Sequence, residues 1–234
     1  MLNPSLSAVI KSMEIYVPPT FTRWVHNVRD TRESPYLDEM REKGVIFTHV
    51  PKTGGTSIAK ALFGSNTTHI PVYRYYATNK ELFYSSFKFA IVRNPWDRMY
   101  SAYKYLHRVV GNRSFPDGVW ATDMLAGVKD FGEFVDRLRK PSYRYLVTSY
   151  GHFRPQVWWL SVPGKGMVMD YVGRLETIKE SYDMVSKKLN VNVDLPLTRT
   201  TSGPSYVEVY NKNMIEIVRN IYLNDIDTFG YEFY

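Results

Sequence analysis

The segment VIFTHVPKTGGTSIAKALF, residues 45–63, places a lysine, two adjacent glycines and hydroxyl side chains between a β-branched run and a helical pattern. Adjacent glycines are costly for folding, because glycine loses more backbone entropy on ordering than other residues. A glycine-rich turn that leads into a helix points several backbone N–H groups at one place, and the helix dipole adds partial positive charge there. The segment therefore predicts a cradle for a phosphate-like anion, rather than a plain turn with a solvated lysine.

Side chains of the expected kinds surround this cradle. Lys52 supplies a mobile charge, the glycine pair lets the backbone approach an anion, and Thr56 and Ser57 supply hydroxyl donors. The motif differs from the nucleoside triphosphatase loop G-x-x-x-x-G-K-[ST], in which the lysine follows the glycines. The next apolar run, FAIV, ends at Arg93 rather than at an acidic residue placed for magnesium. Because arginine suits a second anionic group, the sequence predicts a site for two anions and no metal.

Composition limits the classes of protein that fit. The chain has 234 residues, 44% of them hydrophobic, a net charge of +7 and no cysteine. This size allows one substantial core, so we expect a single domain over residues 1–234. The absence of cysteine excludes disulfides, thiolate metal sites and cysteine nucleophiles. The positive charge favours an anionic ligand, which could be a nucleotide, an acidic glycan or a nucleic acid.

The sequence carries no pattern of a membrane segment. No stretch approaches the ~20 apolar residues needed to span a bilayer, and the short apolar run near the start is broken by Lys11 and Glu14. We therefore expect neither a membrane span nor a signal peptide. A cytoplasmic location is the resulting prediction, and the lack of cysteine agrees with it.

Three short β-branched runs each lead into a helical pattern, and they are VIFTHV (45–50), FKFAIV (87–92) and MVMDYVG (167–173). Strands that alternate with helices predict an α/β fold with a central parallel sheet flanked by helices on both sides. We expect residues 1–44 to form an irregular arm and residues 45–234 the α/β core, with a helical insertion around 107–150. In such sheets ligands bind at the carboxyl ends of the strands, where the cradle falls.

Capping signals mark several helix ends. Asn94, which is followed by a proline, is predicted to begin the helix after the second strand. Thr177 with Glu180, and Ser205 with Glu208, have the spacing of capping boxes. The second of these boxes is predicted to open a long C-terminal helix.

Two motifs together resemble a known family. PKTGGTS (51–57), followed by FKFAIVRNPWDRMYSAY (87–103), resembles the two cofactor-binding motifs of the sulfotransferases that use 3′-phosphoadenosine 5′-phosphosulfate. The pairing is more specific than either motif alone. Three further segments resemble the carbohydrate sulfotransferases of the branch that includes the chondroitin and HNK-1 enzymes and their bacterial relatives, and they are HFRPQ (152–156), DYVGRLETI (170–178) and DTFGYEF (227–233).

The resemblance extends over about residues 45–234 and leaves residues 1–44 and much of 107–150 unmatched. It implies a P-loop-like three-layer fold. It also implies transfer of a sulfuryl group from 3′-phosphoadenosine 5′-phosphosulfate to a hydroxyl, or less readily an amine, of an acceptor that we expect to be a carbohydrate. The product would be adenosine 3′,5′-bisphosphate, and no metal would be required.

The matching positions carry the implied donor site. The first motif implies six residues that hold the 5′-phosphosulfate, namely Lys52, Thr53, Gly54, Gly55, Thr56 and Ser57. The second implies that Arg93 and Ser101 hold the 3′-phosphate, and Ser101 would face away from the apolar side of its helix. Family members also close a loop over the nucleotide before the last helix. TRTTSGPSY (198–206) occupies that place, which makes Arg199 a candidate for phosphate or adenine contact.

The resemblance also bears on the catalytic groups. Sulfuryl transfer places negative charge on the departing phosphate oxygen, so we expect Lys52 to stabilise that oxygen in the transition state. An acceptor hydroxyl needs a base, for which histidine has a suitable pKa. Related glycan enzymes use a histidine or a glutamate between the two cofactor motifs, and His69 is the one histidine there. We therefore expect His69 to be the base, with four competitors, which are His49, Tyr76, Glu81 and His152.

HFRPQVWWL (152–160) predicts part of an acceptor wall that combines stacking with anion contact. Its candidate side chains are His152, Arg154, Trp158 and Trp159, although tryptophans are more often part of a core. Two other functions fit a basic protein with a phosphate cradle, namely a nucleotide kinase and a non-catalytic nucleotide or nucleic-acid binder. The chain shows no recognised nucleic-acid module. We therefore expect a sulfate donor and a hydroxylated acceptor as partners, and no nucleic acid.

Overall fold

The computed structural model describes residues 34–196 and 204–234. Three parallel strands form its main sheet in the spatial order β1–β2–β5, and they are β1 Val45–Thr48, β2 Phe87–Val92 and β5 Tyr171–Arg174. Val45 lies beside Phe87, and Ala90 lies beside Val172. Two short strands, β3 Ser161–Val162 and β4 Gly166–Met167, form a separate antiparallel pair.

Helices make up most of the remaining described residues. In chain order they are α1 Asp38–Glu42, α2 Gly55–Phe63, α3 Val72–Thr78, α4 Lys80–Ser85, α5 Pro95–His107, α6 Pro116–Leu125, α7 Phe131–Arg137, α8 Pro141–Ser149, α9 Gln156–Trp159, α10 Ile178–Leu189, α11 Tyr206–Val209, α12 Lys212–Ile221 and α13 Leu223–Phe229.

The strand predictions hold to different degrees. β2 has the predicted bounds, whereas β1 ends at Thr48 because the chain turns there, with the Val50 N–H donating to the Thr48 carbonyl at 3.1 Å. The run predicted over residues 167–173 is divided between two sheets. Met167 belongs to β4, and β5 begins only after Asp170, whose carboxylate accepts from the Lys88 backbone N–H at 2.7 Å.

Both faces of the main sheet are covered. Along β2, Phe89 and Ile91 join a buried cluster that contains Ile58 of α2, while Ala90 and Val92 join a second cluster that contains Met99 of α5. The alternation follows from the two-residue period of a strand. This mixed fold with a small parallel sheet agrees with the predicted α/β class. The assignment as P-loop-like stays a prediction.

Two of the three predicted capping signals form in the structure. The side chain of Asn94 accepts from the Trp96 N–H at 3.1 Å, so the predicted start of α5 is confirmed. The box at Thr177 is wrong, because its backbone lies at φ −121° and ψ 45° and its side chain makes no capping bond. Ser205 and Glu208 do form a box, but it opens only the one-turn helix α11.

Parts of the chain that the motifs left unmatched contribute to the fold. The region predicted as an irregular arm contains α1, and there Met40 is buried and the Tyr36 hydroxyl donates to the Tyr75 carbonyl at 3.1 Å. Residues 107–150 include α6, α7 and α8, whose apolar side chains join the cluster on the α5 face. Among the described residues, none of the helices is both long and apolar enough for a membrane crossing. The cytoplasmic location stays a prediction.

Candidate active site

The predicted anion cradle is the turn between β1 and α2. Lys52 lies in the left-handed region at φ 70°, and Gly54, the residue before α2, lies there at φ 77°. A lysine in this region costs about 1 kcal/mol or more, which indicates that its surroundings hold it there. Thr53 is fully buried, and its hydroxyl donates to the Val50 carbonyl at 2.9 Å. The Thr53 side chain therefore braces the turn and leaves its backbone N–H as the group that could meet an anion.

The two glycines of the cradle are required by neighbouring side chains. A Cβ atom on Gly55 would lie 2.2 Å from Cδ2 of His49, and one on Gly54 would lie 2.7 Å from Cδ1 of Leu175. The His49 ring is fixed, since its Nδ1 lies 3.1 Å from the carbonyl of Thr67 and 2.9 Å from its hydroxyl. The glycines thus permit close packing around the turn, and His49 braces that turn from within.

The side chain of Lys52 leaves the turn and packs a desolvated ammonium group against α5. Its Nζ lies 4.3 Å from the centre of the Tyr105 ring. Within residues 34–196 and 204–234, this ammonium makes no hydrogen bond or ion pair. Burial, and next the positive charge of Arg93, lower the pKa of Lys52 to about 8. Such a group gains strongly from an incoming anion, because the anion supplies the partner that the protein does not.

The pKa of Lys52 leads to a prediction about nucleotide binding. Affinity for adenosine 3′,5′-bisphosphate is expected to fall as pH rises through about 8, by up to about tenfold per pH unit. The sign follows because the anion binds the protonated lysine, and phosphate groups are already ionised above about pH 7. Calorimetric titration from pH 6 to 10 measures the decline. In Lys52→Arg the guanidinium stays protonated throughout this range. The same decline in that variant would show that loss of the Lys52 proton is not its cause.

Arg93 lies beside the cradle and is already engaged. Its Nε and Nη2 donate to the two carboxylate oxygens of Asp97 at 2.7 and 2.8 Å, and its Nη1 donates to the Lys52 carbonyl at 3.1 Å. The side chain of Gln156 accepts from the Arg93 backbone N–H at 2.9 Å and donates to the Arg93 carbonyl at 2.8 Å. Ser101 lies on α5 and is half-buried. A phosphate bound at Arg93 would therefore share or replace the carboxylate of Asp97.

A cavity of about 190 Å³ opens next to the cradle, between Pro51 and the segment after α8. Its other lining residues are His69, Pro71, Asp117, Tyr150, Gly151, His152, Arg154, Trp158 and Trp159. The rings of His69 and His152 lie 6.2 Å apart, measured between their centres. The structure thus brings the preferred base candidate together with all four side chains of the predicted acceptor wall.

The hydrogen bonds of His69 fix its tautomer. Its Nδ1 lies 2.8 Å from the carbonyl oxygen of His49. Since a carbonyl oxygen only accepts, Nδ1 carries the proton and Nε2 keeps a lone pair. Burial, and next the neighbouring His49, lower the pKa of His69, so the ring is neutral at neutral pH. A neutral imidazole with an unprotonated Nε2 is the state that a general base requires.

The competing base candidates have different surroundings. The Nε2 atom of His152 lies 3.2 Å from Asp117, and its Nδ1 is buried without a hydrogen-bond partner among the described residues. Tyr76 lies away from the cavity lining, with the ammonium of Lys80 5.4 Å from its ring centre. Glu81 is exposed on α4. Arg199, the candidate from the predicted closing loop, lies outside the described residues.

Comparison with known proteins adds one finding to this geometry. The sequence model of the sulfotransferase family, a family of carbohydrate sulfotransferases, matches residues 35–232. The chain belongs to this family. The predicted resemblance is therefore confirmed, and the match also includes α1 and the helices between residues 107 and 150. No curated protein and no solved structure gives a significant match to this sulfotransferase.

The sulfotransferase site contains a buried arginine that the motifs did not single out. Arg98 is almost fully buried, its Nε donates to the Pro51 carbonyl at 3.1 Å, and its Nη2 donates to the Arg154 carbonyl at 2.8 Å. It therefore joins the cradle to the far wall of the cavity. A signal was present in the sequence, because Arg98 lies four residues before Ala102 on the apolar face of α5.

The sequence of the sulfotransferase also did not predict Asp117 and Tyr105 as residues of the site. Asp117 lines the cavity and accepts hydrogen bonds from the hydroxyls of Tyr105 and Tyr150. It lies in the region between 107 and 150 that no motif matched. A single carboxylate in such a segment has no spacing that would reveal its partners, so this contact could be found only from the fold.

Proposed function

We propose that the protein transfers a sulfuryl group from 3′-phosphoadenosine 5′-phosphosulfate to a hydroxyl group of a carbohydrate acceptor. The observation that carries this proposal is the Lys52 ammonium, which is desolvated and makes no hydrogen bond or ion pair among the described residues, in the turn whose neighbouring residue Pro51 lines the same cavity as His69. Membership in the sulfotransferase family supports sulfuryl transfer in general. The donor and the class of acceptor are proposed here from the site.

The residues present fit such a donor. The first turn of α2 begins at Gly55 and carries the exposed Thr56, whose hydroxyl could meet an anion at this helix start. Ser57 is buried, and its N–H donates to the Gly54 carbonyl at 3.2 Å, so Ser57 would have to exchange contacts to join the donor site. Lys52 supplies the positive charge for the 5′ side. Arg93 and Ser101 are proposed to hold the 3′-phosphate, and Arg199 to contribute from the closing loop.

The donor, when bound, supplies an electrophilic sulfuryl group and a phosphate leaving group. Lys52 is proposed to donate a hydrogen bond to the oxygen on which negative charge develops, since a charged donor placed there lowers the barrier. His69 is proposed to accept the proton of the acceptor hydroxyl at Nε2. The imidazolium that forms is stabilised through its Nδ1–H, which donates to the His49 carbonyl at 2.8 Å.

The cavity wall suits a sugar. The guanidinium of Arg154 lies 4.1 Å from the centre of the Trp158 ring, and the Tyr73 ring meets Trp158 edge-on at 5.8 Å. An aromatic face binds the apolar face of a sugar ring, and the adjacent guanidinium suits a carboxylate or sulfate on it. His152 adds polar character at the base of this wall. We therefore propose a carbohydrate acceptor, with a hydroxyl as the group that is sulfated.

One experiment tests the donor, and a second tests the acceptor. In a thermal-shift titration, adenosine 3′,5′-bisphosphate without magnesium should stabilise the protein, and the stabilisation should rise with the logarithm of nucleotide concentration above Kd. A preference for magnesium ATP would instead favour a nucleotide kinase and contradict the proposal. Incubation with sulfate-labelled donor and a panel of glycans and small alcohols should then label a carbohydrate. Labelling confined to an amine or a non-sugar alcohol would reject the acceptor class.

Arg93→Ala is expected to weaken the binding of adenosine 3′,5′-bisphosphate by ~10- to 150-fold. The binding of adenosine 5′-monophosphate should change very little. The reason is that a charge-assisted hydrogen bond contributes ~1.5 to 3 kcal/mol, and only the first ligand carries the 3′-phosphate. Arg113→Ala is the matched control, because Arg113 also pairs with an aspartate, Asp123, but at the surface. Calorimetry gives both affinities. Equal weakening of the two nucleotides would show that Arg93 does not contact the 3′-phosphate.

A further inference from the structure

Asp117 joins three structural elements around the cavity. It lies in the first turn of α6, and its carboxylate accepts from the hydroxyl of Tyr105 on α5 at 2.7 Å. The hydroxyl of Tyr150, just after α8, donates to the other carboxylate oxygen. His152 Nε2 lies 3.2 Å from the oxygen that Tyr105 also contacts. Because all these groups donate, the carboxylate is held in its ionised form.

The position of Asp117 is rigid. Trp120, one turn further along α6, stacks on Tyr150 with the ring centres 4.2 Å apart and the planes 8° from parallel. Burial alone raises the pKa of Asp117, but the hydrogen bonds from His152, Tyr150 and Tyr105 outweigh burial and lower it below the usual range. At neutral pH the protein therefore keeps a fixed negative charge at the cavity wall.

Tyr105 connects this carboxylate to Lys52. The Lys52 ammonium lies 4.3 Å from the centre of the Tyr105 ring, which places it on the ring face within the range of a cation–π contact. A phenol that donates to a carboxylate gains electron density in its ring, which strengthens the attraction for a cation. The ring is also prevented from rotating away, since its hydroxyl is tied to Asp117.

The charges around Lys52 make Asp117 important. Arg93, Lys104 and Arg108 each act on the Lys52 ammonium as positive charges and favour its neutral form. Asp117 is the carboxylate that opposes them. Asp97, which also lies nearby, has both oxygens engaged by Arg93. Without Asp117 these positive charges would be unopposed by it, and the Lys52 ammonium would lose its proton at a lower pH.

We propose that Asp117 is a positioning residue for Lys52: it holds Tyr105 as the platform beneath the ammonium and supplies the negative charge that keeps this ammonium protonated in the nucleotide-free protein. This inference rests on the proposed function in so far as Lys52 is the catalytic cation. It assigns a role to the region between 107 and 150, which would then prepare the donor site as well as enclose the acceptor cavity.

A titration of the lysine side chains tests the inference without any nucleotide. The protein is labelled with ¹³C-lysine, and the Lys52 resonance is identified by its loss in Lys52→Arg. In Asp117→Asn the titration midpoint of Lys52 should fall by about one pH unit, the effect expected when a neighbouring opposite charge is removed. Asp123→Asn is the control, because Asp123 is on the same helix but pairs with Arg113. In this variant the titration midpoint of Lys52 should equal that of the wild type.

A second measurement separates positioning from a merely structural role. At pH 6 Lys52 is protonated in every variant, so Asp117→Asn should bind adenosine 3′,5′-bisphosphate as tightly as the wild type. At pH 8.5 it should bind several-fold more weakly. A loss of the same size at both pH values would indicate general damage to the fold and overturn the inference, and so would an unchanged Lys52 midpoint.

Tyr105→Leu provides a second variant if Asp117→Asn does not fold. It removes the platform and leaves Asp117 with the donors Tyr150 and His152, so the Lys52 midpoint should again fall. An unchanged midpoint in that variant would also overturn the inference. If the wild type binds no adenosine nucleotide, the proposed donor is rejected while the lysine titration still decides the role of Asp117.

Discussion

Lys52→Ala is expected to lower kcat by ~10²- to 10³-fold or more while the protein stays folded. The size follows from the loss of one donor aimed at developing negative charge. The fold should survive, because the Lys52 ammonium makes no hydrogen bond or ion pair in the part of the chain that the structure describes. Transfer of labelled sulfate measures kcat, and a thermal melt confirms folding.

Lys104→Ala is the matched control for this experiment. The Lys104 ammonium also lies 4.3 Å from the centre of a tyrosine ring, that of Tyr100, but it belongs to α5 and not to the turn between β1 and α2. Its removal should leave kcat near the wild-type value. If Lys52→Ala transfers sulfate at the rate of Lys104→Ala, the lysine has no part in the chemical step and the mechanism proposed for the cradle is wrong.

His69→Ala is expected to lower kcat by ~10²- to 10⁴-fold with the affinity for adenosine 3′,5′-bisphosphate unchanged. General-base catalysis acts on the transition state and not on binding of the nucleotide. Because burial and His49 lower the pKa of His69, the base is lost only as pH falls below the usual histidine range. The acidic limb of kcat/KM should therefore lie below pH 6.5 in the wild type and disappear in the variant, provided that proton transfer limits the rate.

Variants of the other candidate residues decide whether His69 is the general base. His107→Ala is the control, since His107 is exposed at the end of α5. His49→Ala, His152→Ala, Glu81→Gln and Tyr76→Phe complete the set. Should His69→Ala stay active while one of these is inactive and still binds nucleotide, the base is that residue instead. The proposed donor site would be unaffected by such an outcome.

The parts of the site that local sequence determines were predictable. The strand, the glycine turn and α2 follow one another along the chain, so the order of residue types was enough to predict the cradle. The positions of Arg93 at a strand end and Asn94 at a helix cap were equally predictable, because both features are encoded within a few residues. The sequence could not show that Gly55 is needed to make room for the His49 ring.

The remaining contacts depend on how distant segments pack. Asp117 meets Tyr105, Tyr150 and His152 only because α5, α6 and α8 come together around the cavity, and no local pattern encodes that meeting. The failed capping box at Thr177 has a related cause. At Thr177 the backbone lies at φ −121° and ψ 45° and the side chain makes no capping bond, so the spacing of Thr177 and Glu180 alone did not determine how α10 begins.

The pairing of Arg93 with Asp97 has a consequence for the energetics of nucleotide binding. The free protein already holds an anionic group in the guanidinium fork, so a 3′-phosphate that bound at Arg93 would exchange one anion for another instead of neutralising an open charge. Fewer bound counterions are then released than the number of basic residues suggests. Affinity should consequently depend on ionic strength mainly through the Lys52 side of the site, and the two ends of the donor would differ in their sensitivity to salt.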